Sequence, residues 1–348
     1  MKMNNLIKKI KEAIRSLLKD PLFLRRWEES WYSQGRNDNQ LSVRISGSHR
    51  RKAYPYHGDS YMFVQDMYTG IMPFMIYRGE REKYPARLEP TTTPERQRMI
   101  VEGVSNRDHT HFLEDAICEF VRTTAHVLFS DGVAYYEIIY QKNEAGEVQN
   151  FSFELLQPFY LFRFWKNYYQ IVPWWEAKES HIRAQIIKIP AEKILRIDFP
   201  RQYGGKRKLH YLLKRLYQLS KELIPKFQMD AMGKNENIGF DLDEFSRAKY
   251  LEIARLTKKF GWGQRQRSDK YITEYYMMLR FLREKKLEAF LREHIVEELN
   301  KALNRQPLNL GVRVVMENLF SVRNVVEQEK LLKQGDVAFM DIFNTLKL

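Results

Sequence analysis

His109 and His111 are the side chains whose spacing most directly suggests chemistry. In a strand an H-x-H pair puts both imidazoles on one face, where they could ligate a metal. With a nucleophilic tyrosine, such a pair would suit a rolling-circle nicking enzyme. Here the pair follows Arg107 and Asp108 and opens a helical run, a geometry that does not suit ligation. The 20 tyrosines of the chain make the tyrosine half of the test uninformative. Cys118, the one cysteine, sits among apolar neighbours and reads as packing. A lone cysteine excludes a disulfide framework, a zinc ribbon and an iron–sulfur site within one chain. Glu297 and Glu298 are adjacent, so on a helix they point about 100° apart and read as a solvated face, not an acid–base pair. The sequence has no P-loop, nucleophile elbow, H-E-x-x-H or C-x-x-C pattern. The glycines and cations of 204–208 lack phosphate-loop spacing. No catalytic residue, metal site or cofactor is expected.

Charge is the stronger signal. The 348 residues carry 58 Lys+Arg against 44 Asp+Glu, a net charge of +14, and the pI is near 9.5. Such a balance points to a polyanionic partner. Residues 201–234 hold nine Lys/Arg and two acids, and 255–270 hold six against one. Within them Lys206, Arg207, Lys208, Lys214, Arg215, Arg265, Arg267 and Lys270 are candidate phosphate or DNA-channel contacts. Contacts of this kind are non-specific and salt-dependent. The competing reading is a helix exposing its lysines to water. The aromatic run Phe159, Tyr160, Phe162, Phe164, Trp165, Tyr168 and Tyr169 could stack on bases, but such residues more often fill a sheet core or a subunit interface.

These side chains need elements to position them. Residues 4–19 form an amphipathic pattern flanked by lysines, either a docking helix or a membrane-surface helix. Residues 33–60 read as an irregular arm, and 79–96, with Pro85, Pro90 and Pro94, as a long exposed loop. Asp108 is a plausible N-cap for a helix to about Ser130, with Phe112, Ala116, Phe120, Thr124 and Val127 as its buried stripe. Strands are expected at 133–141, 148–156, 159–165, 168–175, 182–189 and 194–199, with a turn at Asn143–Gly146. Helices are expected at 207–231, 242–260, 274–303 and 323–346, and a strand at 310–317. A polar loop at 261–272 lies between two of the helices. Gly335 should cap one helix in the left-handed conformation and Asp336 should cap the next. No apolar run reaches the ~18–20 residues of a membrane span, and no secretory signal is evident. The expected compartment is the cytoplasm, or a particle assembled there.

Four passages resemble the portal (head-to-tail connector) proteins of tailed bacteriophages, siphophage type. They are NRDHTHFLEDAICEFVRTTAHVLFSDGVAYYEIIYQ (106–141), EVQNFSFELLQPFYLFRFWKNYYQIV (147–172) with IKIPAEKILRIDFPRQYGG (187–205), FLREHIVEELNKALNRQ (290–306) and VVEQEKLLKQGDVAFMDIFNTL (325–346). The third carries Glu297, Leu299, Asn300 and Leu303 of an E-x-L-N-x-x-L pattern, and the fourth breaks at Gly335. The chain departs from the family in its short length, its compressed 232–273 segment and the GGKRK at its glycine turn.

The resemblance implies an α+β portal-like subunit with four regions: an N-terminal helix and arm (1–60), a sheet-containing wing (61–205), stem helices with a short clip-like segment (206–273), and a helical C-terminal region (274–348). Within these, 207–231 would lie in the stem, 232–245 would form the clip and 261–272 a channel loop. It implies a non-enzymatic, dodecameric ring at one capsid vertex. The ring would conduct double-stranded DNA during packaging and ejection. Its partners would be other copies of itself, the terminase large subunit, the major capsid protein and the head–tail adaptor, with no membrane. It would sit in the virion after assembly in the host cytoplasm. The alternative is a nucleic-acid-binding replication or nicking protein of a mobile element, using His109, His111 and a tyrosine. A third reading is a membrane-surface protein using 4–19.

Overall fold

The computed structural model describes residues 40–43, 58–72, 86–105, 112–173, 186–221, 242–263 and 273–346. In chain order the elements are α1 (Asp59–Thr69), β1 (Ala86–Glu89), α2 (Pro94–Val104), α3 (Leu113–Asp131), β2 (Val133–Lys142), β3 (Val148–Leu156), β4 (Leu161–Phe164), β5 (Asn167–Ile171), β6 (Ile186–Pro190), β7 (Ile194–Asp198), α4 (Gly205–Lys221), α5 (Leu242–Leu256), α6 (Glu274–Leu303), β8 (Arg313–Met316), α7 (Val322–Gln334) and α8 (Phe339–Thr345). Helix and sheet are mixed. The strands form three antiparallel sheets, ordered β3-β2-β7, β4-β5-β6 and β1-β8.

Helix α3 shows how the sequence makes its own boundaries. Glu114 and Asp115 sit in its first turn, where the helix dipole favours acids. Gly132 (φ 73°) ends it, donating its N–H to Leu128 O at 2.9 Å. One face buries Ala116, Ile117, Phe120, Val121, Thr124 and Leu128, and from it Phe120 meets Tyr136 and Phe153 of the first sheet. There Thr124 and Tyr136 share a buried hydroxyl hydrogen bond of 2.7 Å. The centre of the core is Phe63 of α1. Phe129, Phe260 and Trp262 meet it edge-on with ring centroids at 6.0, 5.4 and 5.4 Å.

The long helix α6 is the spine, because its buried polar side chains close the loops around it. Arg280 donates to Ala254 O and Thr257 Oγ1, each at 2.8 Å, and also to Trp262 O. Arg292 donates to Ile71 O at 2.8 Å and to Phe320 O, and lies 4.8 Å from the Phe320 ring centroid. Asn300 grips β8 in both directions, accepting from Val314 N at 2.7 Å and donating to Val314 O at 3.0 Å. Asn304 does the same to Val312, at 3.1 and 2.7 Å. Gly261 (φ 78°) presses on the same helix so closely that a Cβ there would collide with Arg280 O.

Residues 40–43 form a strap between the β3-β2-β7 and β4-β5-β6 sheets. Glu137 of β2 accepts Leu41 N and Ser42 N at 2.9 and 2.8 Å. Gln170 of β5 accepts Val43 N at 2.8 Å and donates to Val43 O at 2.7 Å.

Several expectations are corrected. Residues 79–96 are not one exposed loop: 86–89 form β1, which buries Ala86 and Leu88 and pairs with β8, and α2 begins at Pro94. Prolines punctuate this stretch without preventing pairing, because β1 has a single strand partner and tolerates a neighbouring proline. Phe112 is the N-cap of α3 and is exposed, not part of the buried stripe; the stripe starts at Leu113. Gly335 (φ 80°) caps α7 as expected, but the N-cap of α8 is Ala338, not Asp336. The strand expected at 159–165 is shortened by a 3-10 turn at Pro158–Tyr160. Strand β2, the hairpin to β3 and helix α6 fall where periodicity put them. The 4–19 helix, Asp108, residues 232–241 of the clip expected at 232–245 and the ends of several expected elements lie outside the described residues; residues 242–245 of that clip are instead the first turn of α5.

The polar side chains of α6 make two expected outcomes measurable. Asn300→Ala would strand the Val314 N–H and C=O in a buried site and should cost about 2–4 kcal/mol in denaturant unfolding. Glu288 is fully buried, and burial outweighs its ion pair with Lys285 (2.7 Å), pushing its carboxyl up to about 7. A carboxyl raised in the folded state takes up protons on folding, so stability should fall as pH rises from about 5 to 7. Glu288→Gln should flatten that slope in pH-dependent melting.

Candidate nucleic-acid interface

Helix α4 carries five of the eight candidate phosphate contacts, and the chain before it fixes where it starts. Strand β7 ends at Asp198, paired with Val133, and Phe199 N donates to Gly132 O at 3.1 Å. After Pro200 a 3-10 turn leads into Gly204 (φ 97°) and Gly205 (φ 62°), both in conformations that suit glycine. A Cβ on Gly132 would lie 2.9 Å from Lys206 Cα. The end of α3 and the start of α4 are therefore butted together.

The consequence is a concentration of positive charge at the start of the helix. Lys206, Arg207 and Lys208 occupy the first turn of α4, which has no acid. The helix dipole is already positive there, so the three cations add to it, and an anion would relieve both. Part of Lys206 reaches the surface, but the protein packed around it strips away water and lowers its pKa. Arg196 adds repulsion, while Asp131 and Asp198 oppose the shift. His210 is likewise lowered, by burial and by Lys206, and its Nε2 is hydrogen-bonded to Asp131 O at 3.0 Å.

The rest of α4 is divided by face. Leu209, Leu212, Leu213, Leu216 and Leu219 are buried in the core. Arg207, Lys208, Tyr211 and Lys214 are exposed on the other side. Arg215 is half-buried and donates to Gln218 Oε1 at 3.0 Å. Helix α5 packs beside α4 and brings Arg255 into electrostatic contact with Tyr211. Arg255 is held by Glu252 through two bonds of 2.8 Å. Lys258 and Lys259 are exposed in the turn that follows. The surface is thus a basic row with one exposed phenol, able to contact phosphate oxygens through Arg, Lys and Tyr O–H donors.

The structure brings Arg207, Lys208 and Lys214 onto one surface and adds Tyr211, which charge counting passes over. Its signal was present: Tyr211 stands four residues after Arg207 and three before Lys214, on the same helical face. Arg265, Arg267 and Lys270, and the histidines 109 and 111, lie outside the described residues. Among the described residues no group of three or more His, Cys, Asp or Glu is placed to hold a metal ion. Cys118 is buried and its thiol is pushed up to about 12, chiefly by burial. Glu297 and Glu298 both pair with Lys301, at 3.2 and 2.8 Å. Of the aromatic run, Tyr168 enters a core, whereas Phe159, Phe164 and Trp165 are exposed. No helix among the described residues is long and apolar enough to cross a membrane.

No protein-family model matches the chain, and no curated protein matches it. Among solved structures it is similar to an HK97-family phage portal protein from Corynebacterium diphtheriae, at 10% identity and a TM-score of 0.35, over 79% of this chain and 97% of that one. A TM-score of 0.35 is too low to establish a common fold.

The Gly132 junction can be tested by substitution. Gly132→Ala combines a left-handed backbone with a contact to Lys206 that must give way. It should lower stability by about 1–3 kcal/mol in thermal unfolding, while Gly146→Ala, whose Cβ meets open space, should cost less.

Proposed function

We propose that the chain is the subunit of a closed homo-oligomeric ring that conducts double-stranded DNA, a portal at one vertex of a tailed-phage capsid. The observation that carries this reading is the exposed row Arg207, Lys208, Tyr211 and Lys214 on a helix whose other face is fixed in the core. The four sequence passages described above, in the portal order, support it independently.

In this reading the ring multiplies a weak contact. A conduit must let the duplex slide, so its contacts should be numerous, individually weak and directed at the phosphates, not the bases. Exposed Lys and Arg on a rigid helix meet that requirement. Ring closure is heterologous, one face of a subunit meeting a different face of its neighbour. The number of subunits, twelve in the family it resembles, belongs to the proposal. So do the remaining partners: terminase large subunit, major capsid protein and head–tail adaptor. The place of action is then the virion, and the chain itself catalyses no step.

The test has two arms. Negative-stain microscopy with native mass spectrometry of the purified chain should show rings with a central hole. Binding to duplex DNA of unrelated sequences should be equal in strength and fall steeply with salt. Alanine at Arg207, Lys208 and Lys214 together should make the log–log salt slope shallower by about 0.9 for each phosphate no longer neutralised, with the melting temperature unchanged. A monomer or dimer at every salt and concentration would overturn the ring. A slope unaltered by the triple substitution would remove the assigned contacts.

A further inference from the structure

The strap at 40–43 fills a built site. Glu137 is fully buried and Gln170 is 1% exposed, and each comes from a different sheet. Between them they make four hydrogen bonds to the backbone of three consecutive residues, Leu41, Ser42 and Val43. Without an occupant, a buried carboxylate and a buried amide would face each other across an empty seam, at a high desolvation cost. The apolar side chains complete the fit. Val43 packs with Val172 and Ile187, and Leu41 packs on the cluster of Leu161 and Tyr168. The ligand chemistry is therefore a short, bent, uncharged peptide segment read by its main-chain N–H and C=O groups.

The receptor does not distinguish which copy of the chain supplies that peptide. Its two reading side chains lie 95 to 127 positions away from the residues they hold. Fourteen residues separate Val43 from Gly58, and the next anchor is Asp59 N on Ser220 Oγ of α4, at 2.7 Å. A link of that length reaches up to about 50 Å when extended. That is comparable with the width of a globular chain of this size, whose radius of gyration is about 20 Å. The link is thus long enough to carry the strap across the width of one chain to the same seam on an adjoining copy.

We propose that the seam between β2 and β5 is a peptide clasp that takes the 40–43 strap of a second copy, so that subunits interlock by exchanging their N-terminal arms. Exchange keeps every contact of the strap and alters only which chain closes it. Within an assembly the neighbour's strap is present at an effective concentration of order millimolar, so the exchange needs no new interface. The inference rests on the ring reading only in that it requires a second copy nearby.

Disulfide trapping tests it in the full chain. In a Cys118→Ala background, Val43→Cys and Val172→Cys are made in separate chains, which are co-expressed and oxidised. Strap exchange should give a disulfide-linked dimer on a non-reducing gel, and the doubly substituted chain should give a covalent ladder. A doubly substituted chain that closes only on itself, or forms no bridge, overturns the proposal. Should the cysteine variants fail to fold by circular dichroism, a photo-crosslinker at Leu41 in mixed light and heavy-isotope chains gives the same readout by mass spectrometry. Mixed-isotope crosslinks support exchange, and single-isotope crosslinks alone overturn it. Rings bearing only intrachain bridges would sink the exchange and keep the ring. Interchain bridges without rings would do the reverse.

Discussion

Two buried guanidiniums on one helix hold this structure together. Arg280 and Arg292 sit twelve residues apart on α6, both nearly inaccessible to water. A buried cation needs hydrogen-bond acceptors to offset its lost hydration. Neither side chain is satisfied by its own helix. Arg280 needs the carbonyls at the end of α5 and in the turn after it, and Arg292 needs Ile71 after α1 and Phe320 before α7. Loops from distant parts of the sequence must therefore converge on α6 before either charge can be buried. Asn300 and Asn304 extend the same logic to β8, replacing a strand partner with two side-chain amides.

That convergence sets the stage for the basic surface. The Phe63 cluster joins α1, α3 and the turn after α5, and the leucines of α4 enter the same core. With its inner face fixed, α4 presents its cations in a fixed orientation. The concentration of Lys206, Arg207 and Lys208 at a helix N-terminus opposes the dipole, and no acid in that turn offsets it.

The strap is a second case of polar groups waiting on a distant segment. Glu137 and Gln170 each belong to a regular strand, and neither is matched by its strand neighbours. Their partner is a backbone from the far end of the chain. Sheets that share no ladder are thereby tied through two side chains and four residues. The main-chain character of the contact is what makes the occupant exchangeable.

Local patterns in the sequence determined much of the scaffold. The 3–4 spacing of apolar residues placed α3 and α6, alternation placed β2 and β3, and Gly132 and Gly335 ended their helices, because each of these depends on neighbours within a few residues. Charge counting likewise found the basic helix, since charge is a property of composition. Tertiary structure alone decided the rest. The pairing of β1 with β8 joins residues more than 220 positions apart, a register no local pattern encodes. The burial of Arg280, Glu288 and Arg292 reverses the ordinary preference of charged residues for water; converging carbonyls make it tolerable for the two arginines, and Lys285 pairs with Glu288. Which cations of α4 face outward depends on where its leucines find the core. Glu137 and Gln170 read as ordinary strand residues until the strap that satisfies them is in place, because a hydrogen bond across 95 or more residues leaves no mark on the sequence around either partner.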